Sequence, residues 1–158
     1  MRLKQGDKMA SMDIIPAAIR KDLEKALEDR QSRARNLKGP WLLFVSESGL
    51  GKRVPLSRFR LSPLNRVGLI VFHEDHLAAV FVVGFSLTED GESDEQVVLV
   101  SQSGTINRIK VRDISIQSRF ARGVILMRLE YAGKIQSASL MSATETETDD
   151  EEAVAVTQ

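Results

Sequence analysis

The sequence repeats itself at a spacing of 55 residues, and any fold has to accommodate that repeat. Residues 45–53, V-S-E-S-G-L-G-K-R, return at 100–108 as V-S-Q-S-G-T-I-N-R. The shift superposes Val45 on Val100, Ser46 on Ser101, Ser48 on Ser103, Gly49 on Gly104 and Arg53 on Arg108. It carries on to Gly68 on Gly123 and Ile70 on Ile125. Between the identities the apolar positions keep step: Val54 with Ile109, Leu56 with Val111, Phe59 with Ile114, Leu61 with Ile116. A period in this range marks stacked supersecondary units such as blades, each burying its apolar face only against a neighbour.

The unit reads as β. The apolar runs at 41–45, 80–83 and 97–100 are short and rich in Val and Phe, the pattern of strands covered on both faces. Ser48-Gly49 and Ser103-Gly104 supply a tight turn, since glycine reaches positive φ without strain. The returning strand alternates, so that Arg108, Lys110 and Arg112 share one face. Pro55 stands in place of Lys110 in the first unit, and a residue with no ladder donor favours an outer strand, its basic face in water. An Arg-rich loop follows, then a glycine, a short strand (69–72 or 124–129), a turn and a last strand (77–83 or 135–141). Four strands per unit make a propeller-like blade.

The expected fold is therefore mainly β: a partial β-propeller or β-pinwheel of two four-stranded antiparallel blades. The last strands of a preceding blade, one connecting helix and a disordered acidic tail complete it. The boundaries are 1–16 for the end of a preceding blade, 17–38 for a helical linker and 39–86 for blade one. An acidic linker (87–95), blade two (96–141) and the acidic tail (142–158) follow. The helix rests on Ile19, Leu23 and Leu27, which line one face after Pro16. Residues 1–11 match 127–137, so the chain opens partway through a unit and is expected to be a fragment whose opening strand, 8–15, is the least well paired.

Charge is segregated. The chain carries 22 basic and 22 acidic residues, but Glu145, Glu147, Asp149, Asp150, Glu151 and Glu152 all fall in the tail, which has no Lys or Arg. The remainder is basic, an arrangement common in proteins that bind polyanions. The tail is too poor in large apolar residues to fold, and tethered near a basic rim it would compete with phosphates. The lack of cysteine excludes disulfides, thiolate metal sites and a cysteine nucleophile. The longest apolar runs fall well short of the roughly 20 residues that span a bilayer, and no targeting segment opens the chain, so no membrane partner is expected.

The one constellation that carries a function is cationic. Blade one offers Lys52, Arg53, Arg58, Arg60 and Arg66, with no acid between Ser48 and His73. Blade two offers Arg108, Lys110, Arg112, Arg119 and Arg122, interrupted only by Asp113. Long cationic side chains spaced along a surface suit phosphate recognition, which reads no base sequence. Other motifs fail on chemistry. Gly49-Leu-Gly-Lys52 has Ser46 where a phosphate loop needs glycine, and Arg53 where it needs Ser or Thr. His73-Glu-Asp-His76 is a polar turn before it is a metal site, and Tyr131 is a rim aromatic rather than a nucleophile. No catalytic, cofactor-binding or metal-binding residue is expected.

The pattern of apolar strand, S-x-S-G turn, basic alternating strand, Arg-rich loop, G-V-x-L-M-R-L and K-I-x-S-A resembles the C-terminal repeats of the A subunit of DNA gyrase. P-W-L-L-F-V-S-E-S-G and Q-V-V-L-V-S-Q-S-G-T-I-N-R-I-K-V-R-D-I resemble in particular its plant, organelle-targeted form. The resemblance runs from Met1 to about Met141. It implies a β-pinwheel whose rim wraps double-stranded DNA, partnered by the rest of that gyrase polypeptide and by the gyrase B subunit, in a chloroplast or mitochondrion. ATP and Mg would belong to the complete enzyme and not to this chain. Two departures matter: the family's Q-R-R-G-G-K-G box is missing, which makes these later blades, and the DNA-cleaving tyrosine motif is missing too. The equivalent part of topoisomerase IV, or a protein-interaction propeller with an incidental basic rim, are the alternatives.

Overall fold

A computed structural model describes residues 3–21, 39–63, 68–85, 88–129 and 133–142. The acidic tail beyond Ser142, most of the expected helical linker 17–38, Arg66 and Tyr131 lie outside the described residues.

Seven strands follow in order: β1 Trp41–Ser46, β2 Leu50–Pro55, β3 Leu77–Val83, β4 Gln96–Ser101, β5 Ile106–Lys110, β6 Val124–Ile125 and β7 Ile135–Met141. They form two antiparallel sheets, one ordered β3-β1-β2-β6 and the other β5-β4-β7. Each sheet is built on a hairpin followed by a return strand, with matching registers. Val45 pairs with Gly51 and Ala79 in the first, Val100 with Ile106 and Ser137 in the second, and both break register at the next serine. That serine closes the turn. The Ser46 hydroxyl accepts the Leu50 N–H and the Ser101 hydroxyl accepts the Thr105 N–H, each at 3.0 Å. Gly49 and Gly104 then take φ of +85° and +84°, a region that side chains with a Cβ rarely enter.

The two modules do not stand side by side as self-sufficient blades. β6 comes from the second module yet pairs with β2 of the first, at Leu50 and Gly51. Just ahead of it, residues 115–117 run along the same edge: Arg53 donates its N–H to the Ser115 carbonyl at 3.0 Å and accepts from Gln117 at 2.8 Å. Four strands per module, each from its own sequence, is thus corrected: the expected third strand of a module is handed to its predecessor. Only 124–125 of the expected 124–129 is strand, and 69–72 is not strand at all.

This exchange explains which side chains are buried. Trp41, Leu43 and Val45 of β1 face Val97 and Leu99 of β4 in one core, closed by Val111, Ile114, Leu126, Met127 and Ile135 of the second module. Phe44, on the other face of β1, is buried as well. β4 alternates, with Val98 and Val100 only half-buried, so the expectation of two covered faces holds for β1 but not for β4. Gly51 is required at the seam, where an added Cβ would sit 2.2 Å from Leu126 Cδ1. At the corresponding place in the second module Ile106 is 67% exposed, since among the described residues no strand covers β5.

The opening strand expected at 8–15, the end of a preceding blade, is corrected: the segment before the helix forms no strand within residues 3–15. It lies against the free edge of β3 through side chains: Ser11 donates to the Val80 carbonyl, and Asp13 accepts from the Val82 N–H at 2.9 Å. Residues 17–21 are helical, opened by the Pro16 carbonyl accepting from the Arg20 N–H at 3.2 Å.

Candidate nucleic-acid interface

The ten expected cations do not form one continuous rim. Arg58, Arg60, Arg108, Lys110 and Arg122 are exposed, Arg112 and Arg119 half-buried, Lys52 and Arg53 buried. Arg66 lies outside the described residues.

Lys52 and Arg53 require a correction. Both lie on β2, covered by residues of both modules, and neither reaches solvent: Lys52 is 0% exposed and Arg53 3%. Lys52 Nζ donates to the carbonyls of Val71 and Arg119 at 2.7 Å and of Ala121 at 2.5 Å, with the Phe72 ring 4.8 Å away. Burial lowers its pKa, and the positive charge of Arg119 lowers it further. Arg53 Nε donates to the Ile114 carbonyl at 2.6 Å and Nη2 to the Arg112 carbonyl at 3.0 Å, while Nη1 meets Glu92 Oε2 at 3.2 Å and the guanidinium lies 4.7 Å from the Trp41 ring. Burial pulls its pKa down, and the bond to Glu92 pulls it back up. These two cations join module to module. Buried as they are, they do not meet a phosphate at the surface.

Arg112 is corrected as well. β5 ends at Lys110 and the chain tightens into a 3₁₀ turn over Val111–Asp113, so Arg112 leaves the face shared by Arg108 and Lys110. It points instead toward Asp90 and Asp94, at 3.7 and 3.9 Å. The acidic linker is accordingly not simply solvated. Glu92 pairs with Arg53, and Glu95 accepts from the Gly84 N–H and from the buried Ser93 hydroxyl.

The exposed cations fall into two groups. Arg108 and Lys110 stand on the outer edge of β5, where Arg108 Nε also donates to Gln96. Arg58, Arg119 and Phe120 line one cleft with Pro55 and Ile116, and Arg122 lines the neighbouring one, again with Phe120. Arg60 follows the Leu56–Arg58 turn. Arg128, absent from the expected cations because it falls within a strand motif, is exposed and shares a cleft with Arg122. β6 stops at Ile125, and Arg128 comes to the surface just after the buried Leu126 and Met127. Among the described residues Arg58, Arg60, Lys110, Arg122 and Arg128 have no ion-pair partner.

His73, Glu74, Asp75 and His76 form a turn rather than a ligand set. Asp75 accepts from the Ser48 hydroxyl and from the His76 N–H. Its partial burial raises its pKa, but hydrogen bonds from Ser46, Ser48 and the backbone outweigh that and hold the carboxyl below its ordinary value. No group of three metal-ligating side chains occurs among the described residues, and no helix there is long and apolar enough to cross a membrane. What the surface can do is bind an extended polyanion through dispersed cations.

Comparison with known proteins agrees with this architecture. The family model described as DNA gyrase C-terminal domain, beta-propeller, matches residues 40–70 and 95–140. The chain is 76% identical over 99% of its length to the chloroplastic/mitochondrial A subunit of DNA gyrase from Nicotiana benthamiana, and 72% identical over 93% to that of Arabidopsis thaliana. It is 35% identical over 89% of its length to the A subunit of DNA gyrase from Synechocystis. It spans 17%, 16% and 17% of those relatives' own lengths. Among solved structures, the C-terminal domain of DNA topoisomerase IV matches with a TM-score of 0.57 and 20% identity, over 72% of this chain and 35% of the other, a likeness of fold. The chain belongs to the family of DNA gyrase C-terminal β-propeller domains.

Proposed function

We propose that this chain is a DNA-wrapping part of a type II topoisomerase, the A subunit of a DNA gyrase, and that it binds duplex DNA through its backbone without performing catalysis. The observation that carries this reading is the set of exposed cations without acidic partners, Arg58, Arg60, Lys110, Arg122 and Arg128, spread over a fold whose relatives are gyrase subunits. Dispersed single charges on strand edges and loop crests meet phosphates one at a time, which positions a duplex along a surface and leaves its sequence unread. Its partners are the remainder of the gyrase A polypeptide and the gyrase B polypeptide, and ATP with Mg acts there and not on this chain. Its place of work is the chloroplast or the mitochondrion, the compartments named in its plant relatives.

The test is a gel-shift titration with plain duplex at low salt, followed by relaxation of a closed plasmid by a nicking-closing enzyme in the presence of the chain. Binding with a shift in linking number supports wrapping. Binding without a shift leaves a DNA-binding module that does not wrap, and no binding returns the domain to protein interaction.

A further inference from the structure

Phe120 takes no part in the core, being 67% exposed, yet its backbone is held from two sides. The turn that carries it is closed by the Ala121 N–H donating to the Ser118 carbonyl at 3.2 Å. The carbonyls on either side of it, Arg119 and Ala121, both accept from the buried Lys52 ammonium. A cation fixed inside the protein thus grips the loop from beneath and leaves its crest pointing out. The ring is set among cations. The Arg119 guanidinium stacks 4.3 Å from its centroid and is itself tied to the Ile70 carbonyl at 3.0 Å. Arg58 and Arg119 line the cleft on one side of Phe120, and Arg122 the cleft on the other.

We propose that Phe120 is an apolar wedge for duplex DNA, entering the minor groove at a base step while the arginines around it hold the flanking phosphates. Protein side chains of this kind partly unstack the step they enter and kink the duplex, so that more protein surface meets the backbone. A wedge must not fold back when it meets resistance, and the Lys52 cage supplies that stiffness. Lys52 is therefore a positioning residue for DNA although it is itself buried. The repeat places Asn65 at the corresponding point of the first module, so the wedge belongs to the second module alone. This inference rests on the DNA-binding reading above.

The experiment uses the full chain with duplexes carrying 2-aminopurine at successive steps, and with end-labelled duplexes that report bending. Wild type should raise aminopurine fluorescence at the entered step and shorten the end-to-end distance. Phe120→Ala should bind about tenfold more weakly, lose both signals, melt at the wild-type temperature and keep the wild-type salt dependence. Phe120→Leu should restore most of the bend. Arg122→Ala should instead flatten the salt slope by about 0.9 and leave the aminopurine signal in place. Wild-type binding with no aminopurine response, or a Phe120→Ala chain that binds and bends normally, overturns the wedge while DNA binding stands. Failure of wild type to bind any duplex overturns DNA binding and the wedge together.

Discussion

Replacing Lys52 by Met separates a buried clamp from a phosphate contact. Methionine keeps most of the aliphatic stem, so little cavity opens, but the carbonyls of Val71, Arg119 and Ala121 lose their common donor. A buried polar group left unpaired costs about 1–3 kcal/mol. Two of the three carbonyls flank a surface loop and can regain water, and removing a desolvated ammonium gives some free energy back. The net expectation is a loss of about 2–3 kcal/mol, a large share of the ~5–15 kcal/mol that typically separates folded from unfolded domains. Urea unfolding reads it as a lower midpoint at unchanged m-value. The slope of log affinity against log salt for duplex DNA should not move. A midpoint shift below about 0.5 kcal/mol, together with a slope flattened by roughly 0.9, would mean that Lys52 reaches out to DNA and that the clamp is wrong.

Arg53→Ala should cost about 1–3 kcal/mol, because it strands the Ile114 carbonyl in the interior and the part-buried Arg112 carbonyl, whereas Arg108→Ala at the matching point of the repeat should stay within about 0.5 kcal/mol; equal midpoints would contradict the exchange between modules. Gly51→Ala should lose about 1–3 kcal/mol by forcing Leu126 off the seam. Gly68→Ala, whose Cβ would meet nothing within 4 Å, is its control, and equal costs at both would argue against β6 on β2. The Asp75 carboxyl is held below its ordinary 3.8, so its contribution is complete above that pH and drains away as the pH falls through the folded value. Acid unfolding followed by fluorescence should show the wild-type advantage over Asp75→Asn shrinking below pH 3.8; a constant difference would mean that the hydrogen bonds are not to the carboxylate.

The hairpins were legible because they are local. Alternation, the S-x-S-G turn and the short Val-rich runs located β1, β4 and β5 and the return strands Leu77–Val83 and Ile135–Met141. The exchange of β6 was not legible, since nothing in G-V-I says which module's edge it will join, and the contacts that decide it link residues some 60–75 apart in the chain. Lys52 and Arg53 were misplaced for that reason. Arg53 aligns with Arg108 in the repeat and Lys52 beside it with Asn107, and only the covering segment around 114–126 buries Lys52 and Arg53 while Arg108 and Lys110 stay in solvent. A hint was present in Gly51, a residue too small for an exposed strand whose counterpart is Ile106. Arg112 went astray where a 3₁₀ turn interrupted the strand period. In sequence the linker acids read as solvated because nothing there pairs them with Arg53 and Arg112.

The central claim is that this surface binds duplex backbone through dispersed, exposed cations. The salt dependence of its affinity for duplexes of scrambled sequence tests that claim most directly. With Arg58, Arg60, Lys110, Arg122 and Arg128 each releasing counterions, log affinity should fall against log salt with a slope of about −4 to −5, the same for every sequence. A slope near zero, or one that varies with base sequence, would contradict it.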